Sequence, residues 1–177
     1  MTTVQPSVIS DAMRAVVGSE MARMVSFPVS ESDIRKWAIA VYYPEPAPPR
    51  FWDAKAAAAT RHGGIVAPED FNPFSWMAAE PAGKRSGAAA AASNPDNTEN
   101  SLGIEGPGLK NQLNGGLSVQ YFEPIRPGDV ITAVTRLGEY SERPGSLGLM
   151  LFTPSESTWT NQRDEVVKKS RMTLIRY

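Results

Sequence analysis

The sequence offers few side chains for proton-transfer or metal chemistry. His62 is its only imidazole, and the two glycines that follow it could let the ring swing toward a substrate. A lone histidine in a loop is more often a surface residue, and we favour that interpretation. The absence of cysteine excludes disulfides, thiolate metal sites and cysteine nucleophiles, and a single histidine argues against a zinc cluster. We expect neither a metal nor a cofactor.

Length and charge limit the class of protein. At 177 residues the chain suits one domain, residues 1–177, with enough length to bury a core. The formal net charge is -1 and no basic stripe is visible, which argues against a nucleic-acid-binding protein. No apolar run approaches the roughly 20 residues that span a bilayer. Residues 1–11 do not resemble a signal peptide, so we expect a cytoplasmic protein.

The first third of the chain predicts helices. Apolar residues recur with helical spacing over residues 7–17. A clearer pattern begins at Ser30, a favoured N-cap, and continues with acidic residues in the first turn and one apolar face as far as Tyr42. Asp53 is expected to cap a short alanine-rich turn over residues 54–59.

The middle of the chain contains an apolar stretch followed by a polar one. Residues 65–80 are dense in apolar and aromatic side chains, and Pro68, Glu69 and Asp70 suit the first turn of a helix. Because the apolar side chains surround the helix axis, we predict a short, buried central helix. Pro73 comes too early for an undisturbed long helix, so the helix either begins near Asn72 or is kinked in its first turn. Residues 81–112 are rich in Gly, Ala, Ser and Asn, which predicts a flexible insertion.

Alternating apolar and polar residues predict strands. The alternation over residues 25–29 indicates an edge strand, because Pro28 cannot donate to a ladder. Four strand-like segments follow the insertion: 117–121, 131–137, 149–152 continued at 157–159, and 166–175. Turns are predicted between them at 127–129, 143–145 and 161–164. Short turns favour an antiparallel meander, and the whole predicts an α+β domain in which a curved antiparallel sheet wraps a central helix.

The order of these features resembles the MaoC N-terminal dehydratase domain, a member of the hot-dog superfamily. The matching features are a helix, a proline-rich connection, Val66-Ala67-Pro68, the central helix, Gly115-Gly116 and Arg126-Pro127-Gly128-Asp129. The resemblance covers residues 17–177. It implies a single hot-dog domain that pairs with a second hot dog and binds an acyl thioester of coenzyme A or acyl carrier protein. The implied reaction is reversible addition of water across a 2-enoyl double bond.

Active members of this family carry a motif of the form Asp-x-Asn-Pro-x-His-x-Asp, whose aspartate and histidine activate the water. Aligned with this chain, the motif keeps Pro49 and Asp53. It places Pro46 at the aspartate position and Phe51 at the histidine position. A phenyl ring cannot transfer a proton, so we expect no catalytic residue from this motif.

Such degenerate domains resemble the non-catalytic subunits of heteromeric enoyl-CoA hydratases of the steroid side-chain type and of mycobacterial 3-hydroxyacyl-ACP dehydratases. We therefore expect a pocket-shaping subunit of an enoyl-CoA hydratase, with a bulky acyl group such as a steroid side chain. A catalytic hot-dog partner would supply the dyad. Two alternatives stay open. One is an acyl-thioester-binding or assembly module without a role in turnover, and the other is a self-sufficient hydratase that uses His62 and Glu45.

The resemblance also indicates which residues would hold the thioester. Cationic side chains pair well with the phosphates of coenzyme A, and apolar or aromatic side chains would line the acyl pocket. A backbone N–H at the start of the central helix would hold the thioester oxygen. The candidates are Arg50, Trp52, Val66, Ala67, Phe74, Trp76 and Lys110. Lys84 and Arg85, in the flexible segment, are better explained as solvated loop charges.

Overall fold

The computed structural model describes residues 6–75, 94–146 and 148–177. The α-helices of this part are α1 (Asp11–Ala15), α2 (Glu31–Tyr42), α3 (Ala54–Ala58) and α4 (Asn97–Ser101), and a 3-10 helix covers Pro49–Phe51. The strands are β1 (Glu20–Val25), β2 (Gln112–Tyr121), β3 (Thr132–Leu137), β4 (Ser141–Gly145), β5 (Gly148–Thr160) and β6 (Val166–Arg176). None of the helices in the described part of the chain has the length and hydrophobicity to span a bilayer.

Two helices begin at the caps that the sequence predicts. Ser30 Oγ accepts a hydrogen bond from the Asp33 N–H at 3.1 Å, at the start of α2. Asp53 Oδ1 accepts from two N–H groups in the first turn of α3, at 2.8 and 3.0 Å. These bonds satisfy donors that a helix start leaves unpaired. The first helix is shorter than the predicted residues 7–17, since α1 covers only Asp11–Ala15.

The six strands form one antiparallel sheet in the order β1-β3-β5-β6-β2, with β4 paired to part of β5. The predicted meander is therefore right only in part, because β2 pairs with β6 and not with β3. The connection between β2 and β3 accounts for this difference. At the start of this connection, the Phe122 N–H donates to the carbonyl of Val167 in β6 at 3.0 Å. At its end, the Ile131 carbonyl accepts from the N–H of Ser26, the residue after β1, at 2.8 Å. The chain thus crosses from one side of the sheet to the other.

The two pieces of the predicted third strand are one continuous strand, β5, of 13 residues. Pro154 lies where the neighbour of β5 changes, since β4 pairs as far as Phe152 and β3 pairs from Ser155. The Pro154 carbonyl accepts from the Gly138 N–H at 2.8 Å. The N–H and carbonyl of one strand residue point to the same side, so the missing N–H of Pro154 faces the gap between β3 and β4. No ladder bond is lost there.

Two strand boundaries were predicted incorrectly. The first strand ends at Val25, and Phe27 lies beyond it because the Ser26 hydroxyl and backbone already bond to the segment before β3. Residues 143–145, predicted as a turn, belong to β4 and pair with the first residues of β5. Pro144 is tolerated there because β4 has a strand partner on one side only among the described residues.

The described part of the predicted central helix, residues 65–75, is not α-helical. The Ala67 N–H donates to the Ile125 carbonyl at 2.8 Å, and the Phe74 N–H donates to Asn72 Oδ1 at 3.0 Å. These are bridging and turn bonds, not the i to i−4 bonds of a helix. Two prolines in this segment also lack the N–H that a helix interior needs. The last five residues of the predicted helix lie outside the described residues.

The second half of the predicted flexible insertion differs from the prediction. Residues 81–93 lie outside the described part of the chain, but residues 94–112 contain α4 and pack Leu102 against a hydrophobic cluster. Glu99 in α4 is fully buried, and Arg176 pairs with it. A segment with few bulky apolar residues is held here by a buried charge pair, which composition does not reveal.

Two hydrophobic clusters pack on the sheet. The larger joins Ile34 and Ala38 of α2 to Phe51, Ile131 and Ala133. The smaller is formed by Met13, Leu137, Tyr140 and Leu151. Burying each large side chain of this kind contributes roughly 1.5–3 kcal/mol. β5 serves both clusters, because Trp159 packs against the larger one and Leu151 belongs to the smaller one.

Candidate functional site

A cleft of about 670 Å³ lies beside the end of β2 and the start of β6. Its walls come from α2, Arg50 and Phe51, residues 60–62 and 66–70, residues 121–125, and Val167 and Lys168. Buried apolar side chains such as Val66 and Ile125 share these walls with charged side chains of both signs. The size and mixed lining are typical of a small-molecule site.

Phe51, which the resemblance places at the histidine position, is buried in the wall of this cleft. Its ring centroid lies 5.9 Å from that of Tyr42, and the Arg50 guanidinium carbon lies 4.6 Å from the Phe51 ring centroid. Aromatic and cation–π contacts of this kind hold an apolar ring in place. Pro46, at the aspartate position, is exposed and lies outside the cleft walls. Neither position supplies a proton-transfer group.

His62 lines the cleft among arginines. Arg61 Nε donates a hydrogen bond to His62 Nε2 at 3.2 Å, and Arg126 Nη1 donates to the His62 carbonyl at 3.0 Å. Burial lowers the pKa of His62, and the positive charges of Arg61, Arg126 and Arg50 lower that pKa further. The ring is therefore a neutral acceptor near pH 7. Glu45 is exposed and outside the cleft walls, so the cleft does not hold both members of the predicted pair.

Three predicted thioester-binding residues line the cleft: Arg50, Val66 and Ala67. The Ala67 N–H is already bonded to the Ile125 carbonyl at 2.8 Å, so it does not point freely at a ligand. Phe74 is buried and does not line the cleft, since its ring packs edge-on against Trp159 at a centroid distance of 5.1 Å.

The other predicted binding residues lie elsewhere. Trp52 is 46% exposed, and its indole N–H donates to the Ala47 carbonyl at 3.0 Å outside the cleft walls. Lys110 is exposed beside Asn111, whose backbone pairs with that of the last residue of the chain. Trp76 lies outside the described residues. Roles for these residues in ligand binding stay predictions.

A polar pair in the cleft was missed by sequence reasoning. The Tyr121 hydroxyl donates a hydrogen bond to the Asp70 carboxylate, and both residues line the cleft. Burial raises the pKa of Tyr121 to about 12, and the hydrogen bond and negative charge of Asp70 act in the same direction. The phenol therefore stays protonated at neutral pH. The sequence had suggested only a helix start at Asp70.

Lys168 lies beside Tyr121 because β2 and β6 pair in the sheet. It lies directly opposite Trp159 of β5 and Tyr121 of β2 in the strand register. Its Nζ lies 4.3 Å from the Trp159 ring centroid and 5.7 Å from the Tyr121 ring centroid. Burial lowers the pKa of Lys168, although the negative charge of Asp70 opposes that shift. A bulge that leaves the buried Val167 without a ladder partner sets this alignment.

A second polar cluster, formed by Glu99, Arg176, Tyr140 and Thr153, lies away from the cleft. Two Arg176 nitrogens donate to the two Glu99 carboxylate oxygens, both at 2.7 Å, and the Tyr140 hydroxyl donates to Glu99 at 2.6 Å. Burial acts to raise the pKa of Glu99, but the bonds from Arg176 and Tyr140 outweigh it and hold that pKa below its usual range. Burial and Glu99 raise the pKa of Tyr140. This cluster stabilises the fold.

The cleft is better suited to binding than to acid–base catalysis. Four basic side chains line it together with three carboxylates. The basic residues are Arg50, Arg61, His62 and Lys168, and the acidic ones are Glu69, Asp70 and Glu123. Apolar walls and basic side chains suit a ligand with an apolar part and an anionic part. Within the described residues, no three His, Asp or Glu side chains come together as metal ligands would.

Comparison with known proteins gives a family and a fold. A family model described as the FAS1-like, dehydratase domain region matches residues 15–170. No match is found among curated proteins. Among solved structures, the chain is similar to a MaoC-like dehydratase from Rhodospirillum rubrum, with 22% identity, coverage of 91% of this chain and 92% of that chain, and a TM-score of 0.51.

Two complexes from Mycobacterium tuberculosis are also similar. The ChsH1-ChsH2 complex shares 20% identity, with coverage of 94% of this chain and 88% of that chain and a TM-score of 0.65. The C-terminally truncated HadBC (3R-hydroxyacyl-ACP dehydratase) complex shares 20% identity, with coverage of 90% and 99% and a TM-score of 0.52. At these identities the similarity concerns the fold. The predicted α+β hot-dog fold is confirmed.

Proposed function

The chain belongs to the FAS1-like dehydratase domain family, and from this premise we propose that it is the non-catalytic subunit of a heteromeric enoyl-CoA hydratase of the cytoplasm. A partner hot-dog chain supplies the aspartate and histidine that activate water, and this chain shapes the acyl pocket. The observation that carries the proposal is Phe51. A buried phenyl ring, packed by Tyr42 and Arg50, occupies the cleft where the resemblance expects a proton-transfer group.

The chemistry of the cleft supports an acyl thioester as ligand. A coenzyme A thioester has an anionic nucleotide end and an apolar acyl end. Arg50 and Arg61 suit its phosphates, while Val66, Phe51 and Ile125 offer apolar contact to an acyl chain. The positive field that lowers the pKa of the nearby histidine also favours an anion there.

A bulky acyl group, such as a steroid side chain, fits the same proposal. Residues 66–70 line the cleft without forming a helix, which leaves more room than a helix over the same residues would. Comparing octanoyl-CoA with a sterol-side-chain thioester in a binding titration tests this part. A tighter dissociation constant for the octanoyl thioester would contradict it.

The edge of the sheet supports a partner chain. β2 is an end strand, and no strand pairs with its outer side among the described residues. Leu117 on β2 is 65% exposed, and its direct cross-strand neighbour Met172 is 48% exposed. An uncovered strand edge with exposed apolar side chains invites pairing with another chain. We assign this edge to the catalytic hot-dog subunit.

Co-purification with a hot-dog chain that carries the intact motif tests the proposal. The isolated chain should not hydrate a 2-enoyl-CoA, and the complex should. Replacing the partner's histidine with alanine should abolish activity, while Phe51→Leu should leave a measurable rate. Full activity of the isolated chain would sink the idea. Leu117→Arg should prevent assembly, and Val17→Arg, at another exposed site, should not.

An assembly or acyl-binding module without a role in turnover is the main alternative. It predicts that the partner alone and the complex have the same kcat and KM for every acyl length, and that only the stability of the partner changes. A change in acyl preference on adding this chain would exclude that alternative.

A self-sufficient hydratase that uses His62 and Glu45 is less well supported, because only His62 lines the cleft. His62→Ala and Glu45→Ala should leave the rate of the complex within about twofold if neither residue transfers a proton. Removing a true general acid or base costs roughly 100-fold or more. A loss of that size in both variants would favour the self-sufficient enzyme.

A further inference from the structure

Lys168 is the only lysine among the described residues that lines the cleft. Its amine lies against the Trp159 ring at 4.3 Å and near the Tyr121 ring at 5.7 Å. It makes no ion pair with a carboxylate of the described part of the chain. Lys168 thus belongs to the cleft wall, and no carboxylate of the described residues lies within ion-pair distance of its amine.

We propose that Lys168 is an acylation site, whose ε-amine takes the acyl group from a thioester bound in the cleft; this rests on the proposed function. The neutral nitrogen attacks the thioester carbonyl carbon. A C–N bond forms, the C–S bond breaks, and the departing thiolate takes up the proton that the nitrogen loses. The products are an amide on Lys168 and a free thiol, and no further reactant is required.

Burial and the position of Lys168 in the cleft wall favour this step, whereas the faces of the Trp159 and Tyr121 rings stabilise the protonated amine. Only the unprotonated amine is a nucleophile, and burial lowers the pKa of Lys168 while Asp70 opposes the shift. Trp159 and Tyr121, on the two neighbouring strands, restrict the side chain to the cleft. A thioester bound in the same cleft meets this amine at a high effective concentration.

Acylation would change the site in a predictable direction. The amide carries no charge, so the cleft loses one of its basic groups, and the attached acyl chain remains in the space that the next ligand needs. A chain modified at Lys168 should therefore bind acyl thioesters more weakly than the unmodified chain.

Lys169 is a natural internal control. It follows Lys168 directly and its Nζ also lies near an aromatic ring, that of Phe122 at 5.7 Å. It is exposed and does not line the cleft. Any difference in reactivity between the two lysines therefore reflects the cleft and not the local sequence.

The test uses two acyl donors, octanoyl-CoA and the octanoyl thioester of N-acetylcysteamine, which lacks the nucleotide. Intact-mass and peptide mass spectrometry follow the incorporation of one octanoyl group over time in the full chain. We expect Lys168 to be modified on the order of tenfold faster than Lys169, because a thioester bound in the cleft meets the Lys168 amine at a high effective concentration. Lys168→Arg should remove the fast phase and Lys169→Arg should not. Circular dichroism confirms that Lys168→Arg is folded.

The outcomes separate this proposal from the proposed function. Equal labelling of Lys168 and the exposed lysines by both donors would overturn the acylation site. Binding of octanoyl-CoA by calorimetry without modification of Lys168 would also overturn it and leave the proposed function standing. Fast modification by the small thioester with no binding of octanoyl-CoA would support the acylation site and remove coenzyme A from the proposed function.

Discussion

Glu99 and Arg176 form a two-pronged ion pair in which both N–O distances are 2.7 Å and both side chains are 0% exposed. The pair joins α4 to β6. Thr153 accepts a further hydrogen bond from Arg176 at 2.7 Å. Both side chains are fully buried, so the loss of Arg176 would leave Glu99 as an uncompensated buried charge. The loss of Glu99 would leave Arg176 with only its longer contact to Asp96, at 3.6 Å.

Glu99→Ala should lower the free energy of unfolding by roughly 3–5 kcal/mol, because Arg176 would remain buried with only Asp96, at 3.6 Å, as a counter-ion. Glu156→Ala is the matched control, since Glu156 pairs with Arg171 at 3.1 Å with both side chains about half exposed. That exposed pair should contribute no more than about 1 kcal/mol. Urea unfolding measures both changes, and equal losses in the two variants would contradict the buried pair.

The same pair predicts how stability depends on acid. The pKa of Glu99 lies below its unfolded value, so its contribution to stability is present above the unfolded pKa and is lost as pH falls through the folded pKa. As pH falls below the ordinary glutamate pKa of 4.5, the free energy of unfolding should therefore fall more steeply in the wild-type chain than in Glu99→Gln. Urea unfolding at a series of pH values checks this. Parallel curves for the two chains would refute the assignment.

Tyr121 predicts an effect at alkaline pH. Its pKa is raised to about 12 in the folded chain, so the stability that it contributes is complete below the unfolded pKa and is lost as pH rises through about 12. Because the pKa of Tyr140 is also raised, near-ultraviolet absorbance should show two late-ionising tyrosines, and Tyr121→Phe should remove the one that ionises near pH 12. Asp70→Asn should move that ionisation to lower pH, because it removes the nearby negative charge. Tyr43→Phe, at an 81% exposed position, should leave the late step in place.

Gly106 predicts a packing effect on the segment that contains α4. A Cβ at Gly106 would lie 2.4 Å from Asp96 Cγ, and Asp96 is itself fixed by the Gly108 N–H at 2.9 Å. Gly106→Ala should therefore destabilise the chain by roughly 1–3 kcal/mol. Gly64→Ala is the control, since nothing lies within 4 Å of a Cβ there. Thermal unfolding compares them, and an unchanged midpoint in Gly106→Ala would show that the segment can shift without cost.

Arg50 predicts an effect on ligand affinity. Arg50→Ala should weaken the binding of octanoyl-CoA by roughly three- to tenfold, because one charge-assisted phosphate contact at an exposed site is lost. The binding of an octanoyl thioester without a nucleotide should change less. Arg35→Ala is the control, since Arg35 is exposed on α2 and does not line the cleft. Isothermal titration calorimetry measures the binding of both ligands to the wild-type chain and to the two variants. Equal effects of Arg50→Ala on both ligands would show that the phosphates bind elsewhere.

Features that depend on a few adjacent residues were predictable from the sequence. Ser30 and Asp53 cap helices as predicted because a cap is decided within three residues. The regions of β2, β3, β5 and β6 were found for a similar reason, since alternation is a local signal. The predicted first strand, residues 25–29, overlaps β1 only at Val25, and β4 was missed. The helix start at Pro68 was mispredicted, because prolines that suit a first helical turn equally suit the turns that the chain makes there.

The polar contacts of the cleft were not predictable in this way. Asp70 and Tyr121 are 51 residues apart, and Tyr121 meets Lys168 only because β2 pairs with β6. A one-residue bulge at Val167 then decides which residues of β6 face the cleft. Neither the strand order nor the bulge has a local signature in the sequence. The buried pairing of Glu99 with Arg176, which are 77 residues apart, was missed for the same reason.

The continuous course of β5 past Pro154 has a consequence for how the chain unfolds. One strand carries Trp159 to the larger hydrophobic cluster and Leu151 to the smaller one. Local unfolding of either cluster therefore displaces a strand that also packs in the other cluster. The slowly exchanging backbone amides on both halves of β5 should therefore show the same free energy of opening in hydrogen exchange, as a single cooperative unit.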